Sequence, residues 1–492
     1  MNNNCASLPL NLPVHMQRPE LLRVCSGPAR QDGRLLPVLN PATGMELCTV
    51  PMVGADEAKA MITTAHRAWP AWKGVSGEHR ANLLHHYADL ILANLEDLAL
   101  IMTAEQGKPL PEARGEVEHG ARYVRWYAEE ARRIYGSVLP IEQLSRRFMT
   151  VLEPVGVCAA ITPWNFPCST VLRKVAPALA AGCTVVLKPA SHTPLSALAL
   201  AFLAQEAGLP EAVLQVLPGR SSEIGPVLIG DPLVRGLSFT GSTAVGKELM
   251  RQSAATVKRL SLELGGHAPF IVFADADLDA AVQGVLACKF RNAGQTCVCA
   301  NRLLVQETVL AEFSGRLSQA VQRLRVGDGF AAASDLGPLI DAAAVEKVEA
   351  HIADALGKGA MLACGGMRLS GQGYFFAPTL LTGATGTMRV AQEETFGPVL
   401  PVIGFRDEAE AISMANDTPY GLAAYFYSRD VRRIQRVAEA LAFGMVGINT
   451  GRMSSEAAPF GGVKESGFGR EGSRHGIREF LELKSLCLGG LK

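Results

Sequence analysis

The chain carries no net formal charge and no long apolar run, and each absence removes a class of partner. Its 47 Lys and Arg residues equal its 47 Asp and Glu residues, so no global field attracts nucleic acid or an anionic membrane. No apolar stretch approaches the roughly 20 residues that span a bilayer. The first residues also lack the charged and apolar regions of a secretory signal, and we therefore expect a cytoplasmic protein.

Cysteines are few and scattered, and the common metal-binding motifs are missing. The 11 cysteines in 492 residues are too sparse for a disulfide scaffold. Neither a pair of CxxC motifs nor HExxH occurs, so we expect no metal site. A single cysteine is more often a small buried side chain than a reactive group, and this interpretation applies at first to Cys297 as well.

What the sequence does have is length and regular patterning. A chain of 492 residues is too long for one compact core and predicts two or three domains. Residues 1–50 are expected to be irregular, with a turn at 40–44. Apolar periodicity predicts a helix over 56–69 and further helices to about residue 135, with an i,i+4 ion pair between Glu129 and Arg133.

Short apolar strands separated by helices begin at Val155 and again at Pro269. Such strands indicate parallel sheets that helices cover on both faces, so we predict an α/β fold with two doubly wound parallel-sheet domains. Isolated strands are expected at 148–153 and 479–487. The strands of the two alternations are predicted at 155–161, 184–187, 213–216, 237–239, 257–262, 270–273, 302–306, 399–405 and 423–427.

Five patches concentrate polar or reactive residues among glycine and proline, at residues 162–167, 188–191, 239–243, 263–266 and 294–297. All but the last follow a predicted strand, where a doubly wound sheet binds its ligands. The third patch also opens a helix whose N–H groups suit a pyrophosphate. Glycine at such a turn often has only a steric role, however, and the spacing is not GxGxxG.

Each reactive side chain in these patches also has a plain structural interpretation. Cys297 could be a buried cysteine, Glu263 a surface charge, and Asn165 the cap of a turn. Taken singly, these interpretations are about as good as the catalytic ones. The occurrence of all three together is what favours a catalytic site.

The patches resemble motifs of the aldehyde dehydrogenase superfamily, and the resemblance extends from about residue 36 to the C-terminus. It includes residues 103–109, 393–398 and 459–462. Within the superfamily, residues 289–302 and 470–473 are most similar to succinate-semialdehyde dehydrogenases. The resemblance implies an enzyme that oxidises a semialdehyde to an acid with NADP, or with NAD as the alternative.

The same resemblance implies a role for each catalytic residue. Cys297 attacks the aldehyde carbon, and the Asn165 amide stabilises the oxyanion together with the Cys297 backbone N–H. After hydride leaves to the cofactor, Glu263 activates the water that hydrolyses the thioester. The expected cofactor contacts are Trp164, Asn165, Lys188, Ser191, Gly241, Ser242, Leu264, Glu394 and Phe396.

Substrate and cofactor preference are inferred from single positions. Ser191 stands where NAD-preferring relatives often have Glu, so we predict a preference for NADP. Arg173, Arg291 and Ser454 match residues that bind a distal carboxylate, which favours succinate semialdehyde over the alternative, glutarate semialdehyde. Arg452 departs from the subfamily's usual residue and is a candidate for the lining of the substrate tunnel or its mouth, which puts the preferred chain length in doubt. Its charge would either favour an acidic substrate or only face water.

Cys299 is a candidate redox partner of Cys297, because side chains two residues apart share a face in extended chain. A cysteine nucleophile also occurs in thiol hydrolases and amidotransferases, which normally need a His partner. A binding protein on a retired enzyme scaffold is the third class to consider. Formation of NADPH with an aldehyde separates these classes.

The family implies a chain of three parts that assembles as a homodimer or homotetramer. Residues 1–135 and 155–268 would form the cofactor domain, and residues 269–445 the catalytic domain. Residues 446–478 would return to the cofactor domain. The expected oligomerisation arm consists of a β-hairpin at 136–154 and a terminal strand within 479–492.

Overall fold

The computed structural model describes residues 5–7, 12, 15–25, 34–141 and 145–490. The first four residues, which bear on the absence of a secretory signal, lie outside this range. Residues 142–144 and 491–492 of the expected arm lie outside it as well. Among the described helices, none combines the length and the hydrophobicity that a membrane span requires.

The chain begins with two strand pairs and four helices. These elements are β1 (Cys5–Ser7), β2 (Arg23–Cys25), β3 (Leu35–Leu39), β4 (Glu46–Pro51), α1 (Ala55–Lys73), α2 (Gly77–Ala93), α3 (Leu95–Gln106) and α4 (Leu110–Ala131). β3 and β4 pair antiparallel, so the expectation of an irregular segment up to residue 50 is wrong for this hairpin. The strand forms because buried and exposed side chains alternate along it: Leu36 and Val38 are buried, while their neighbours are exposed.

One ion pair predicted within these helices is also wrong. Glu129 lies on α4 beside α2, and its carboxylate is 2.7 Å from Nε2 of His85. Arg133 instead donates to Glu130 at 2.9 Å. The neighbouring helix offers a partner that a single-helix pattern cannot indicate.

A short hairpin and a first strand–helix alternation follow. The hairpin consists of β5 (Ser137–Leu139) and β6 (Arg146–Pro154). Every strand predicted in this region is present, with bounds shifted by a few residues. The alternation contains β7 (Val157–Ile161), α5 (Ser169–Ala181), β8 (Thr184–Lys188), α6 (Leu195–Glu206), β9 (Leu214–Val216), α7 (Ser221–Gly230), β10 (Val234–Thr240), α8 (Thr243–Ser253) and β11 (Arg259–Glu263).

The second alternation begins at residue 268, and three short elements close the described chain. It contains β12 (Ala268–Val272), α9 (Leu278–Val285), β13 (Ala300–Gln306), α10 (Glu307–Gln322), α11 (Ala342–Gly357), β14 (Met361–Cys364), β15 (Thr379–Thr382), α12 (Arg389–Gln392), β16 (Val399–Phe405), α13 (Glu408–Asn416), β17 (Ala423–Tyr427), α14 (Val431–Ala440) and β18 (Met445–Ile448). The closing elements are β19 (Gly467–Phe468), α15 (Ser473–Gly476) and β20 (Leu481–Gly489).

Two largely parallel sheets organise these elements, which confirms the predicted α/β fold. The first has the order β19-β11-β10-β7-β8-β9, and the second has the order β14-β15-β16-β13-β12-β17-β18. Within these two sheets, as far as the structure describes them, only the edge strands β19 and β14 run antiparallel to their neighbours. Helices cover both faces of the first sheet, since Val157 and Ala159 of β7 pack into one apolar core and Cys158 and Ala160 pack into another.

A third, antiparallel sheet has the order β20-β6-β5. It joins the predicted hairpin to the predicted terminal strand through a continuous register from Leu481 opposite Pro154 to Gly489 opposite Arg146. Apolar side chains on it are exposed, including Val138 and Leu483. The domain boundaries inferred from the sequence stay predictions.

Candidate active site

Loops at the carboxyl ends of the first sheet meet the segment before β13 around a cavity of about 380 Å³, called here the first cavity. Four of the five polar patches contribute to its lining, and the patch at 188–191 does not. A second cavity, of about 430 Å³, adjoins it. Phe166, Arg173 and Cys297 line both cavities, so Cys297 lies at their junction.

The segment before β13 holds Cys297 through a turn that side chains stabilise. Asn292 and Ala293 have left-handed φ angles of 50° and 53°, and such a conformation costs a residue other than glycine about 1–2 kcal/mol. The Asn292 backbone N–H donates to Oε2 of Glu112 at 2.9 Å, and its Oδ1 accepts from Nε2 of Gln106 at 2.9 Å. Helices α3 and α4 therefore fix the segment that carries Cys297.

The Cys297 thiol is protonated in its resting surroundings. Burial, and next the charge of Glu263, raises the pKa of Cys297 well above its usual range, while Arg173 acts in the opposite direction. A thiolate is the reactive form of cysteine. A neighbouring base must therefore take the proton before Cys297 can act as a nucleophile.

Cys299 does not share a face with Cys297, because residues 296–299 form a turn rather than extended chain. Sγ of Cys299 is 3.3 Å from the Gly294 carbonyl oxygen and 3.8 Å from Nζ of Lys289. Both cysteines are free thiols. The extended geometry assumed for the redox pair is thus wrong, and the pairing itself stays a prediction.

Glu263 ends β11 with its carboxylate buried beside the Cys297 thiol. Neither oxygen accepts a hydrogen bond of ordinary geometry within the described residues, but the thiol is close enough to lower the pKa of the carboxyl group. Burial, and next the nearby Glu471, raises the pKa of Glu263 to about 7, while Arg173 and Lys174 oppose the shift. A carboxyl group with a pKa near neutrality can both accept and release a proton, which is what a general base needs.

Asn165 is anchored by a buried ion pair. Nζ of Lys108 donates to the Asn165 carbonyl oxygen at 2.8 Å and to Oε2 of Glu116 at 2.5 Å. Glu116 also accepts two backbone N–H groups at the start of α5, each at 3.0 Å. The Asn165 amide donates once, to the Gln295 carbonyl oxygen at 2.9 Å, which leaves one amide N–H for another acceptor.

The first cavity has features that fit a dinucleotide. Gly241 and Ser242 lie at its edge where α8 begins, and the Ser242 hydroxyl accepts a first-turn N–H at 3.4 Å. Trp164 and Phe396 meet edge to face with ring centroids 5.5 Å apart. Glu394 also lines the cavity, and burial raises its pKa to about 7.

Three of the expected cofactor residues lie near the first cavity without lining it. Lys188 is buried, and its ammonium has one partner among the described residues, the Pro189 carbonyl oxygen at 2.7 Å. Burial lowers the pKa of Lys188 to about 8, so this ammonium fits a further acceptor such as a hydroxyl or a phosphate. The Ser191 hydroxyl donates to a backbone carbonyl at 3.0 Å. Leu264 packs against Gly246 of α8.

The second cavity brings together Arg173, Arg291 and Ser454, which the sequence had assigned to the substrate. Arg173 is held by Glu471 at 3.2 Å and stacks over the Phe460 ring at 4.3 Å. Within the described part of the chain, no carboxylate pairs with Arg291. Its guanidinium lies 5.3 Å from the centre of a phenylalanine ring at position 166. Arg291 is thus the more available charge of the two.

One face of α4 also lines the second cavity, and the sequence reasoning missed it. Glu112, Glu116, His119 and Arg122 project from this face into the cavity lining. Their spacing of three and four residues places them on one side of a helix. That spacing is a readable signal, but nothing in it indicates which neighbour the face meets.

Comparison with known proteins matches residues 29–486 to the family model described as the aldehyde dehydrogenase family. The chain is 55% identical over 458 residues to an NADP(+)-dependent succinate-semialdehyde dehydrogenase of Escherichia coli, covering 93% of this chain and 95% of that protein. It is 56% identical over 460 residues to a 3-sulfolactaldehyde dehydrogenase of Pseudomonas putida, with coverage of 94% and 95%. A crystal structure of succinate-semialdehyde dehydrogenase from Burkholderia pseudomallei superposes with a TM-score of 0.95 at 55% identity, covering 97% of this chain and all of that one.

Proposed function

The chain belongs to the aldehyde dehydrogenase family of oxidoreductases, and from this premise we propose that it oxidises a carboxylate-bearing semialdehyde to the dicarboxylic acid with NADP. Succinate semialdehyde is the favoured substrate, and glutarate semialdehyde, one carbon longer, is the alternative. The observation that carries the proposal is the position of Cys297, at the junction of a cavity that fits a dinucleotide and a cavity rich in guanidinium groups.

Acylation begins with transfer of the Cys297 proton to Glu263, whose pKa of about 7 suits it as acceptor. The thiolate then forms a C–S bond with the aldehyde carbon, and the aldehyde oxygen becomes an oxyanion. The free amide N–H of Asn165 and the Cys297 backbone N–H donate to that oxyanion. Bound NADP would supply the hydride acceptor, and loss of hydride from the carbon would leave Cys297 as a thioester.

Deacylation needs Glu263 as its base, and the Asn165 and Cys297 N–H groups again donate to the oxyanion. Glu263 first releases to solvent the proton that it took from Cys297; its carboxylate then takes a proton from water as the water oxygen bonds to the thioester carbon, and this proton passes on to the leaving sulfur. The C–S bond breaks, the acid leaves, and the Cys297 sulfur regains a proton. In the thioester the Cys297 sulfur has no proton to donate, and neither Glu263 oxygen has another partner within the described residues, so a water molecule can bind there without displacing a protein donor.

The proposed preference for NADP follows from the absence of a carboxylate at position 191. Ser191 is neutral and donates to a backbone carbonyl, so no carboxylate at this position repels the 2′-phosphate of NADP. Lys188 supplies an ammonium with one neutral partner. The residues that would contact the cofactor are Trp164, Asn165, Lys188, Ser191, Gly241, Ser242, Leu264, Glu394 and Phe396.

The substrate proposal is tested by removing one guanidinium. Arg291→Ala should lower kcat/KM for succinate semialdehyde about 100-fold, because a charge-assisted bidentate bond is lost. Butanal, which has no carboxylate, should lose less than threefold. Arg125→Ala, on an exposed pair with Asp89 at 2.8 Å, is the matched control. Equal losses on both aldehydes would refute the carboxylate site, and acid release without NADPH would support a thiol hydrolase instead.

A second candidate substrate is a sulfonated aldehyde. The Pseudomonas putida relative is named for 3-sulfolactaldehyde, and the second cavity contains donors beyond those that a carboxylate uses. Rates of NADPH formation at 340 nm with both aldehyde classes compare the two candidates directly.

We further propose that β5, β6 and β20 join copies of the chain as a homodimer or homotetramer. The exposed apolar side chains Val138 and Leu483 on this sheet support the proposal. A reducing compartment such as the cytoplasm suits the catalytic thiol. Light scattering of the purified protein measures the number of copies, and a monomer would exclude the arm from this role.

A further inference from the structure

The second cavity contains more hydrogen-bond donors than a carboxylate tail can use. Arg173, Arg291 and Ser454 are the donors proposed above for such a tail, and a carboxylate has only two oxygens. His119 and Arg452 also line the cavity and have no part in that assignment. We propose that His119 and Arg452 form a second subsite, which binds the third oxygen of a tetrahedral oxyanion tail, a sulfonate or a phosphonate. This inference rests on the proposed oxidation of an anionic aldehyde.

His119 is fixed as a neutral donor. Nη2 of Arg122 is 3.2 Å from Nδ1 of His119, and a guanidinium can only donate, so Nδ1 accepts and Nε2 carries the proton. Burial, and next the charges of Arg173 and Arg122, lowers the pKa of His119 to about 4. The ring packs edge to face with Tyr123 at 4.9 Å. No acceptor within the described residues takes the Nε2 proton, which leaves it for a ligand.

Arg452 adds a charge that has no carboxylate partner in the part of the chain that the structure describes. Its hydrogen bonds involve only its backbone and Thr450. Burial raises the pKa of Glu112, and the charges that lower it include those of Lys108, Arg291 and Arg452. The two unpaired guanidinium groups therefore lie within electrostatic reach of one carboxyl group, although they come from different segments.

The segments that carry these donors favour a tail with three oxygens. A carboxylate is planar, and one guanidinium can satisfy both of its oxygens. A sulfonate or a phosphonate has three oxygens that point in three directions. His119 comes from α4, Arg291 from the turn before the nucleophile, and Arg452 from the loop after β18, so the donors approach from three segments.

The test compares four aldehydes of matched length with NADP: succinate semialdehyde, 3-oxopropanesulfonate, 3-oxopropylphosphonate and butanal. In the unmodified protein, at least one tetrahedral oxyanion should reach a kcat/KM within about tenfold of succinate semialdehyde. His119→Phe and Arg452→Gln should each lower that value about tenfold or more, against about threefold for succinate semialdehyde. Arg125→Gln, on α4 but outside the cavity, should change neither. Thermal unfolding confirms that each variant folds.

The outcomes separate the subsite from the reaction. If kcat/KM is higher for the sulfonate than for the phosphonate, the subsite binds a singly charged tail. If it is higher for the phosphonate, the subsite binds a doubly charged tail. Equal losses in the variants on carboxylate and tetrahedral tails overturn the subsite. Oxidation of succinate semialdehyde without oxidation of either tetrahedral oxyanion overturns it too and leaves the proposed function intact. If no anionic aldehyde is oxidised, the proposed function fails and the subsite fails with it.

Discussion

The two cavities that meet at Cys297 are built from different materials. The first is lined by backbone at the start of α8, by aromatic rings and by the carboxyl groups of Glu263 and Glu394. Five cationic side chains and two carboxylates line the second. Burial raises the pKa of these two carboxyls to about 7, so each can exchange a proton near neutral pH, whereas a hydrogen bond from His192 lowers the pKa of Asp341, a third carboxyl in this lining. Guanidinium groups do not lose their charge near neutral pH, and they keep the second cavity positive.

The difference matches two tasks at the Cys297 thiol, which are proton transfer on one side and recognition of an anionic tail on the other. On the first side, proton transfer needs groups whose charge changes near neutral pH. On the second side, recognition of an anionic tail needs a charge that does not change. Arg173 lines both cavities. Its ion pair with Glu471, at 3.2 Å, offsets its positive charge in the first cavity.

The largest expected effect comes from removing the titrating group of the first cavity. Glu263→Gln should lower kcat about 1000-fold, because neither the Cys297 thiol nor the hydrolytic water has another base. A pre-steady-state burst of NADPH should be absent at pH 7 and should return as the pH is raised. Removing the Glu263 charge removes one cause of the raised thiol pKa, while burial, the larger cause, still acts.

The steady-state rate of this variant should stay low even at high pH, since the water still lacks its base. KM for succinate semialdehyde should change little, and this distinguishes the loss of the base from a loss of substrate binding. A variant that turns over normally at pH 9.5 would show that Glu263 acts only on the thiol.

A negative charge introduced at position 191 should lower kcat/KM for NADP about 100-fold. Ser191→Glu places a carboxylate where the 2′-phosphate of NADP is proposed to lie, and like charges in contact cost several kcal/mol. We expect kcat/KM for NADP to fall by that factor while the value for NAD changes little. Ser191→Gln has the same length without the charge and is the control. Equal losses with both cofactors would mean that the position acts through packing alone.

The sequence predicted the first cavity better than the second, for a physical reason. Trp164, Gly241 and Glu263 follow predicted strands, and the carboxyl ends of parallel strands meet at one edge of a sheet. His119 and Arg452 come from a helix and a loop that are far apart in the chain, and no local pattern indicates that they meet. The ion pair between Glu129 and Arg133 failed for the same reason, because α2 supplied His85 as a partner.

A different kind of effect, about 3 kcal/mol, is expected in stability. The folded state raises the pKa of Glu263 from 4.5 to about 7, so ionisation of this carboxyl opposes folding as pH rises through that interval. Glu263→Gln should therefore unfold less readily than the unmodified protein at pH 8 and show little advantage at pH 4.5. Denaturant unfolding at both pH values measures this difference, with the exposed Glu118→Gln as control. An equal gain at both pH values would refute the ionic explanation.

The smallest expected effect, about tenfold in kcat, tests whether α4 serves both cavities. Lys108→Met alone would leave Glu116 buried without its partner and would destabilise the fold. The double variant Lys108→Met/Glu116→Gln removes that charge, and the glutamine oxygen can still accept the N–H groups at the start of α5. Its stability should recover, but the Asn165 carbonyl loses its ammonium partner. If Lys108 positions Asn165, kcat falls while KM is nearly constant, whereas a purely structural ion pair would leave both unchanged.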